Sequence, residues 1–179
     1  MTSSPTAPIA VPVDAPAHHT TDLTSPGFSS SLSADEFKAL FRGHPGGVAV
    51  ITADAGDGPV ALTATSVASV SAEPPLLIFS VAAVSSTTAV LAKAETVVVH
   101  LLDAHDLDLA RLGATSGVDR FAWVRCAVIE RMDAGGSTVF AAHALQSQLE
   151  RDVAPGEPGD ALVYHNRTWH RLGELSRIS

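Results

Sequence analysis

Side-chain hydroxyls gather in two short stretches of this chain, Thr63-Ala64-Thr65-Ser66-Val67-Ala68-Ser69-Val70-Ser71 and Ser85-Ser86-Thr87-Thr88. The first reads as a strand with small residues on both alternating faces, one that packs little of its own surface. Small side chains leave room for a ring system against the backbone, and hydroxyls and peptide groups can address its polar edge. The second stretch precedes Ala89-Val90-Leu91-Ala92-Lys93-Ala94, which reads as a short helix. Hydroxyls cap helix N-termini, and the N–H groups there suit a phosphate. Together the two stretches fit a planar, phosphate-bearing ligand. A Thr-rich edge strand beside an ordinary helix cap describes the same residues equally well.

Other chemistries find less support. Eight histidines occur, but none in His-x-His or His-Glu-x-x-His spacing, so no metal site is expected. Gly-x-Ser-x-Gly is absent, and the single cysteine, Cys126, falls mid-strand beside Arg125, where it reads as a small core residue. One cysteine makes no internal disulfide. Neither Gly-x-Gly-x-x-Gly nor a P-loop appears, so a nucleotide would have to bind by another arrangement.

The chain has 179 residues, enough for one domain, and a formal net charge of −8. No basic run stands out, and nucleic acid is not an expected partner. No apolar run approaches the ~20 residues of a membrane-spanning helix. Residues 1–31, rich in Pro, Ser, Thr and Ala, lack the apolar centre of a signal peptide and read as a disordered tail of a cytoplasmic protein. A folded domain is expected over 32–175, with 176–179 as a C-terminal tail.

The elements that must position these residues are mostly strands. Ser33-Ala34-Asp35-Glu36 has the form of a capping box ahead of Phe37, Leu40 and Phe41 at helical spacing. Val48–Thr52 is followed by a Gly56-Asp57-Gly58-Pro59 turn, predicting a hairpin with the Thr63–Ser71 strand. Leu76–Val81 reads as a buried strand, Thr96–Leu102 as another, and Asp106–Leu112 as helical. Trp123–Met132 and Ser137–Leu145 flank Gly135-Gly136, Glu150–Asp160 is a polar loop, and 161–165 and 168–172 flank Asn166-Arg167. Many short antiparallel strands with few short helices predict a mainly β protein closed as a small barrel.

Taken in order, Phe37–Phe41, Gly47–Thr52, Leu62–Ser71, Pro74-Pro75-Leu76, Ser85-Ser86-Thr87, Asp119-Arg120-Phe121 and Leu162-Val163-Tyr164-His165…His170-Arg171-Leu172 resemble the flavin reductase-like family with the FMN-binding split barrel. The resemblance runs from about Phe37 to Leu172. It implies an antiparallel split barrel and a homodimer. It also implies a cofactor, FMN or else FAD, reduced by hydride from NADH or NADPH. Reduced flavin would then pass to a flavin-dependent monooxygenase. By position, Thr63, Ala64, Thr65 and Ser66 would line the ring system and ribityl chain, Ser69, Val70 and Ser71 would lie near the ring, and Ser85 and Thr87 would hold the phosphate. His100 stands where relatives have an asparagine and would face the flavin. Hydride transfer between stacked rings needs positioning rather than an acid–base dyad, so no catalytic residue is expected.

The chain also departs from the family pattern. Its phosphate loop, Ala82–Thr87, has no basic residue; Gly135-Gly136-Ser137 stands in place of Gly-Asp-His; and Phe121 runs directly into the next strand without a longer connection. Two alternatives follow from these differences. One is a non-catalytic flavin-binding dimer, the other a split barrel holding heme or a deazaflavin.

Overall fold

A computed structural model describes residues 31–112, 122–149, 159–176 and 178. The tail over 1–30, the Asp119-Arg120-Phe121 segment and most of the 150–160 loop lie outside the described residues. The chain divides after Phe37 into two units, Met1–Phe37 and Lys38–Ser179.

Helix α1 spans Ala34–Arg42. Its start is the expected capping box: the Ser33 hydroxyl donates to Glu36 Oε2 at 2.7 Å and accepts from the Glu36 amide at 3.3 Å, while the Ser33 amide donates to the same carboxylate. These bonds hold the Glu36 carboxyl below its usual pKa.

In the second unit, seven strands form one antiparallel sheet. In chain order they are β2 (Ala49–Asp54), β3 (Pro59–Ala64), β4 (Ala68–Ala72), β5 (Pro75–Ala82), β6 (Thr96–Leu101), β7 (Ala122–Ala134) and β8 (Ser137–Gln148). The spatial order is β3-β2-β6-β7-β8-β5-β4. A second sheet places β9 (Leu162–His165) between β1 (Gly46–Gly47) and β10 (Thr168–Arg171). Turn chemistry sets the hairpins. Asp54 Oδ1 accepts from the Gly56 and Gly58 amides at 2.7 and 3.3 Å, and both glycines take positive φ. Asn166 and Arg167 both adopt left-handed φ, 47° and 61°, between β9 and β10.

The predicted Thr63–Ser71 strand is corrected to two. β3 ends at Ala64 and β4 begins at Ala68, and they occupy opposite edges of the seven-stranded sheet. Seven strands laid flat would separate those edges by about 29 Å, whereas the link from Ala64 to Ala68 reaches at most about 14 Å. The sheet therefore curls until its edges approach, and the short side chains of this link, Thr65, Ser66 and Val67, permit the tight crossing.

Inside the curl lie Ile51, Phe79, Leu91, Val97, Val99, Cys126 and Phe140, essentially without exposure. Phe79 and Phe140 are directly paired across β5 and β8 and stack with centroids 5.0 Å apart. Cys126 is the expected core residue, and burial pushes its thiol up to about 11. Outside the curl, Val48, Val50, Leu102, Ala110 and Leu162 form a second cluster, flanked by the Tyr164–Trp169 ring pair at 4.7 Å.

Helix α2 spans Ser86–Leu91 and α3 spans Leu107–Leu112, the latter preceded by a single 3-10 turn over Ala104–Asp106. The predicted Ala89–Ala94 helix thus begins three residues earlier. Thr88 lies within it and donates from Oγ1 to the Ala82 carbonyl at 2.7 Å, closing the turn before the predicted start. Arg131, on the same row of the sheet as Phe140, donates from Nη2 to the Ala94 carbonyl at 2.6 Å and ties the segment after α2 to β7.

Candidate functional site

The structure sorts the ten expected flavin residues into three groups. The first is Thr63 with His100. Thr63 pairs with Val50, Val50 with His100 and His100 with Trp123, so these side chains share one face of the sheet. That face is the outer one, because Val50 packs in the second cluster. Thr63 Oγ1 donates to the Ala110 carbonyl of α3 at 2.7 Å. His100 Nε2 lies 3.4 Å from Thr52 Oγ1, and partial burial holds the imidazole below its ordinary pKa.

Ala64 is the second group by itself. One residue along the strand, it points the other way and is buried in the main core. The strand's two-residue period therefore separates Thr63 from Ala64.

The third group runs along β5. Ser66 Oγ donates to the Ser80 carbonyl at 3.0 Å and accepts from the Ser80 amide at 3.1 Å. β4 then pairs with β5, Ala68 opposite Ile78, Ser69 opposite Leu77 and Ser71 opposite Leu76, with Val70 bulged out between. Thr65, Ser66, Ser69 and Val70 are exposed. Beyond Ser80 the same strand leads through Ala82 into the turn that carries Ser85 and Thr87, both half-buried. Ser85 takes an extended N-cap conformation, but its hydroxyl makes no cap bond, so the predicted side-chain capping is absent there.

Hydrogen bonding divides these hydroxyls by availability. Thr63, Ser66 and Thr88 are engaged with the protein's own backbone. Among the described residues, no bond engages the hydroxyls of Thr65, Ser69, Ser71, Ser85 or Thr87. From 59 to 92 there is no Lys or Arg and one acid, Glu73. A phosphate held here would rely on hydroxyl and amide donors. No group of three or more candidate metal ligands occurs among the described residues.

Two participants escape sequence reasoning. A Cβ on Gly46 would stand 3.0 Å from the Thr65 carbonyl oxygen and 3.1 Å from Thr65 Cβ, so β1 lies directly against Thr65. In the sequence, Pro45-Gly46 signals only the end of the first helix. Ser80 acts through its backbone and leaves no sequence signal. The close approach at Gly46, the crossing at Thr65 to Val67 and the uncommitted hydroxyls beside β5 make up a candidate cradle of small groups, the kind of lining that suits a planar ring bearing a polar chain.

Comparison with known proteins agrees with this architecture. Residues 41–125 match the model of the flavin reductase like domain. An NADH:FMN oxidoreductase of Rhodococcus qingshengii is 33% identical over 189 residues, covering 90% of this chain and 95% of that protein. The reductase component of a 4-nitrophenol 4-monooxygenase/4-nitrocatechol 2-monooxygenase from Rhodococcus opacus is 23% identical, covering 83% and 92%. The crystal structure of a flavin reductase domain protein from Arthrobacter sp. FB24 is 27% identical, with a TM-score of 0.69 over 76% of this chain and 94% of that one. The curled antiparallel sheet is a split barrel, and the chain belongs to the flavin reductase-like family.

Proposed function

We propose that the protein is an NAD(P)H-dependent flavin reductase that binds FMN in preference to FAD, within a domain spanning 32–175. The observation that carries this reading is the set of uncommitted hydroxyls placed beside β5: Ser71 and Ser69 opposite its start, Thr65 next to the Ser66–Ser80 lock, and Ser85 and Thr87 in the turn beyond its end. The 33% identical NADH:FMN oxidoreductase supports both the activity and NADH as donor.

In this reading Thr65 and Ser69 to Ser71 border the ring system and its ribityl chain, and Ser85 and Thr87 hold the phosphate. Ser66 acts at one remove: its two bonds to Ser80 fix the crossing that presents Thr65. Ala64, buried under the crossing, keeps the backbone there close to the core. Thr63 and His100 brace the outer face against α3 and Thr52. Flavin, when bound, supplies the hydride-accepting chemistry; the chain supplies binding and orientation.

The protein is further proposed to act in the cytoplasm as a homodimer that passes reduced flavin to a monooxygenase. Exposed Ile129, Met132 and Leu145 on β7 and β8 support an apolar interface. The reductase component of a nitrophenol monooxygenase, a 23% identical relative, supports the handover.

Steady-state oxidation of NADH and of NADPH, each with FMN and with FAD, tests the proposal. Turnover well above the flavin-only background is expected, fastest with NADH and FMN. Tight flavin binding without turnover would identify a non-catalytic flavin-binding protein, and no flavin binding would end the proposal altogether.

A further inference from the structure

Charge in this acidic chain is unevenly placed. The segments 37–53 and 161–173 hold four of its eleven Lys and Arg, Lys38, Arg42, Arg167 and Arg171, and none of its nineteen Asp and Glu. They also hold three of its eight histidines, His44, His165 and His170. The fold joins the two segments. β1 pairs with β9, Gly46 opposite Tyr164, and the Asn166 amide donates to the Arg42 carbonyl at 3.0 Å. The end of α1 and the tip of the β9–β10 hairpin thus become one surface.

The basic groups on this surface are presented outward. Arg42, His44, Arg167 and His170 are exposed, and the rings of His165 and His170 lie 5.6 Å apart. Arg171 is engaged internally, donating from Nε to Asp160 at 2.8 Å. Among the described residues, Arg42 and Arg167 form no ion pair. Arg167 sits at φ 61°, the second central position of a tight hairpin turn, where glycine is the least strained residue. An arginine there places a guanidinium at the outermost point of the hairpin.

We propose that this surface docks an acidic face of a partner protein. Its groups are spread over a hairpin tip and a helix end and are open to solvent, a layout suited to another protein surface rather than to an enclosed small anion. A cluster of basic groups on a chain of net charge −8 also favours one orientation of approach by an acidic partner. The surface abuts the flavin cradle through Gly46 and Thr65, so a partner seated on it lies beside the proposed site. The inference rests on charge placement and stands apart from the flavin reading.

Binding of fluorescently labelled poly-L-glutamate to the full chain, followed by anisotropy at low and at physiological ionic strength, tests it without flavin. The expected result is salt-sensitive binding, weakened about tenfold or more by the double variant Arg42→Glu/Arg167→Glu. Reversal of a basic residue on β7, Arg125→Glu, is the control and should leave binding within about twofold. Near-UV circular dichroism establishes that each variant is folded. Absence of binding, equal weakening by Arg125→Glu, or insensitivity to the double variant would overturn the proposal. So would binding of ADP or of anionic phosphatidylglycerol vesicles that depends on Arg42 and Arg167 when poly-L-glutamate does not bind.

Discussion

Ser66 and Ser80 lock together through both backbone groups of Ser80: one hydroxyl donates to its carbonyl at 3.0 Å and accepts from its amide at 3.1 Å. This replaces the ladder that β3 and β4 would otherwise interrupt, and it closes the curled sheet at the link between its two edges. Ser66→Ala removes both bonds and is expected to cost about 1 kcal/mol in urea unfolding. FMN affinity, measured by fluorescence quenching, should fall severalfold with it. Unchanged stability and affinity would contradict the bracing role.

Thr65 and Thr63 are two residues apart and make opposite commitments. Thr63→Val loses the 2.7 Å bond to Ala110 and should cost about 1 kcal/mol of stability. Thr65→Val loses no bond within the protein, so its melting temperature should barely change while the Kd for FMN rises about fivefold to tenfold. The reverse pattern would move the cradle to the α3 face.

Gly46→Ala tests the close approach at the crossing. The added methyl meets backbone at 3.0 Å, which a side-chain rotation cannot relieve. A loss of about 1–3 kcal/mol is expected. The KM for FMN should rise as Thr65 is displaced, with a smaller effect on the KM for NADH. Wild-type values in both would show that β1 yields freely.

Burial lowers the His100 pKa in the folded state below its unfolded value of 6.5. The unfolded chain therefore binds the proton more readily, and folding stability rises with pH across the interval between the two values. His100's contribution is complete above about pH 6.5 and is lost as pH falls toward the folded pKa. Asp106, whose carboxyl is raised chiefly by desolvation from 3.8, acts in the opposite sense: its contribution is present at lower pH and lost as pH rises through its folded value. Urea titrations between pH 5 and about pH 7.5 should show a shallower slope in His100→Gln. An identical slope would remove His100 as its source.

Cys126 should resist modification. With no exposed surface and a thiol pKa of about 11, about one thiol in a thousand is ionised at pH 8. Ellman's reagent is expected to react only on unfolding, at the same denaturant concentration as the loss of near-UV circular dichroism. Rapid reaction of the native protein would show that the core opens locally.

Much of the architecture was legible in residue types whose effects are local. The capping box at Ser33 and Glu36, the Gly56–Gly58 and Asn166-Arg167 turns and the alternating strands on either side of Gly135-Gly136 each depend on neighbours within a few residues. Family resemblance extended this to the split barrel and to the block of small, hydroxyl-bearing residues. The sequence determined that these hydroxyls exist and that little else in the chain offers chemistry.

Tertiary structure decided which of them are available. Thr63 and Thr65 look alike in sequence, but the sheet's curl turns one hydroxyl to the α3 carbonyl and leaves the other uncommitted. The continuous strand read over Thr63–Ser71 breaks because its two halves must serve opposite edges of a closed sheet, a requirement set by five intervening strands. Ser80 and Gly46 join the site only because β5 and β1 are brought against the crossing. Local propensity records what each residue can do; long-range strand pairing determines which partner it meets, and in a closed barrel most of those partners are far away in the chain.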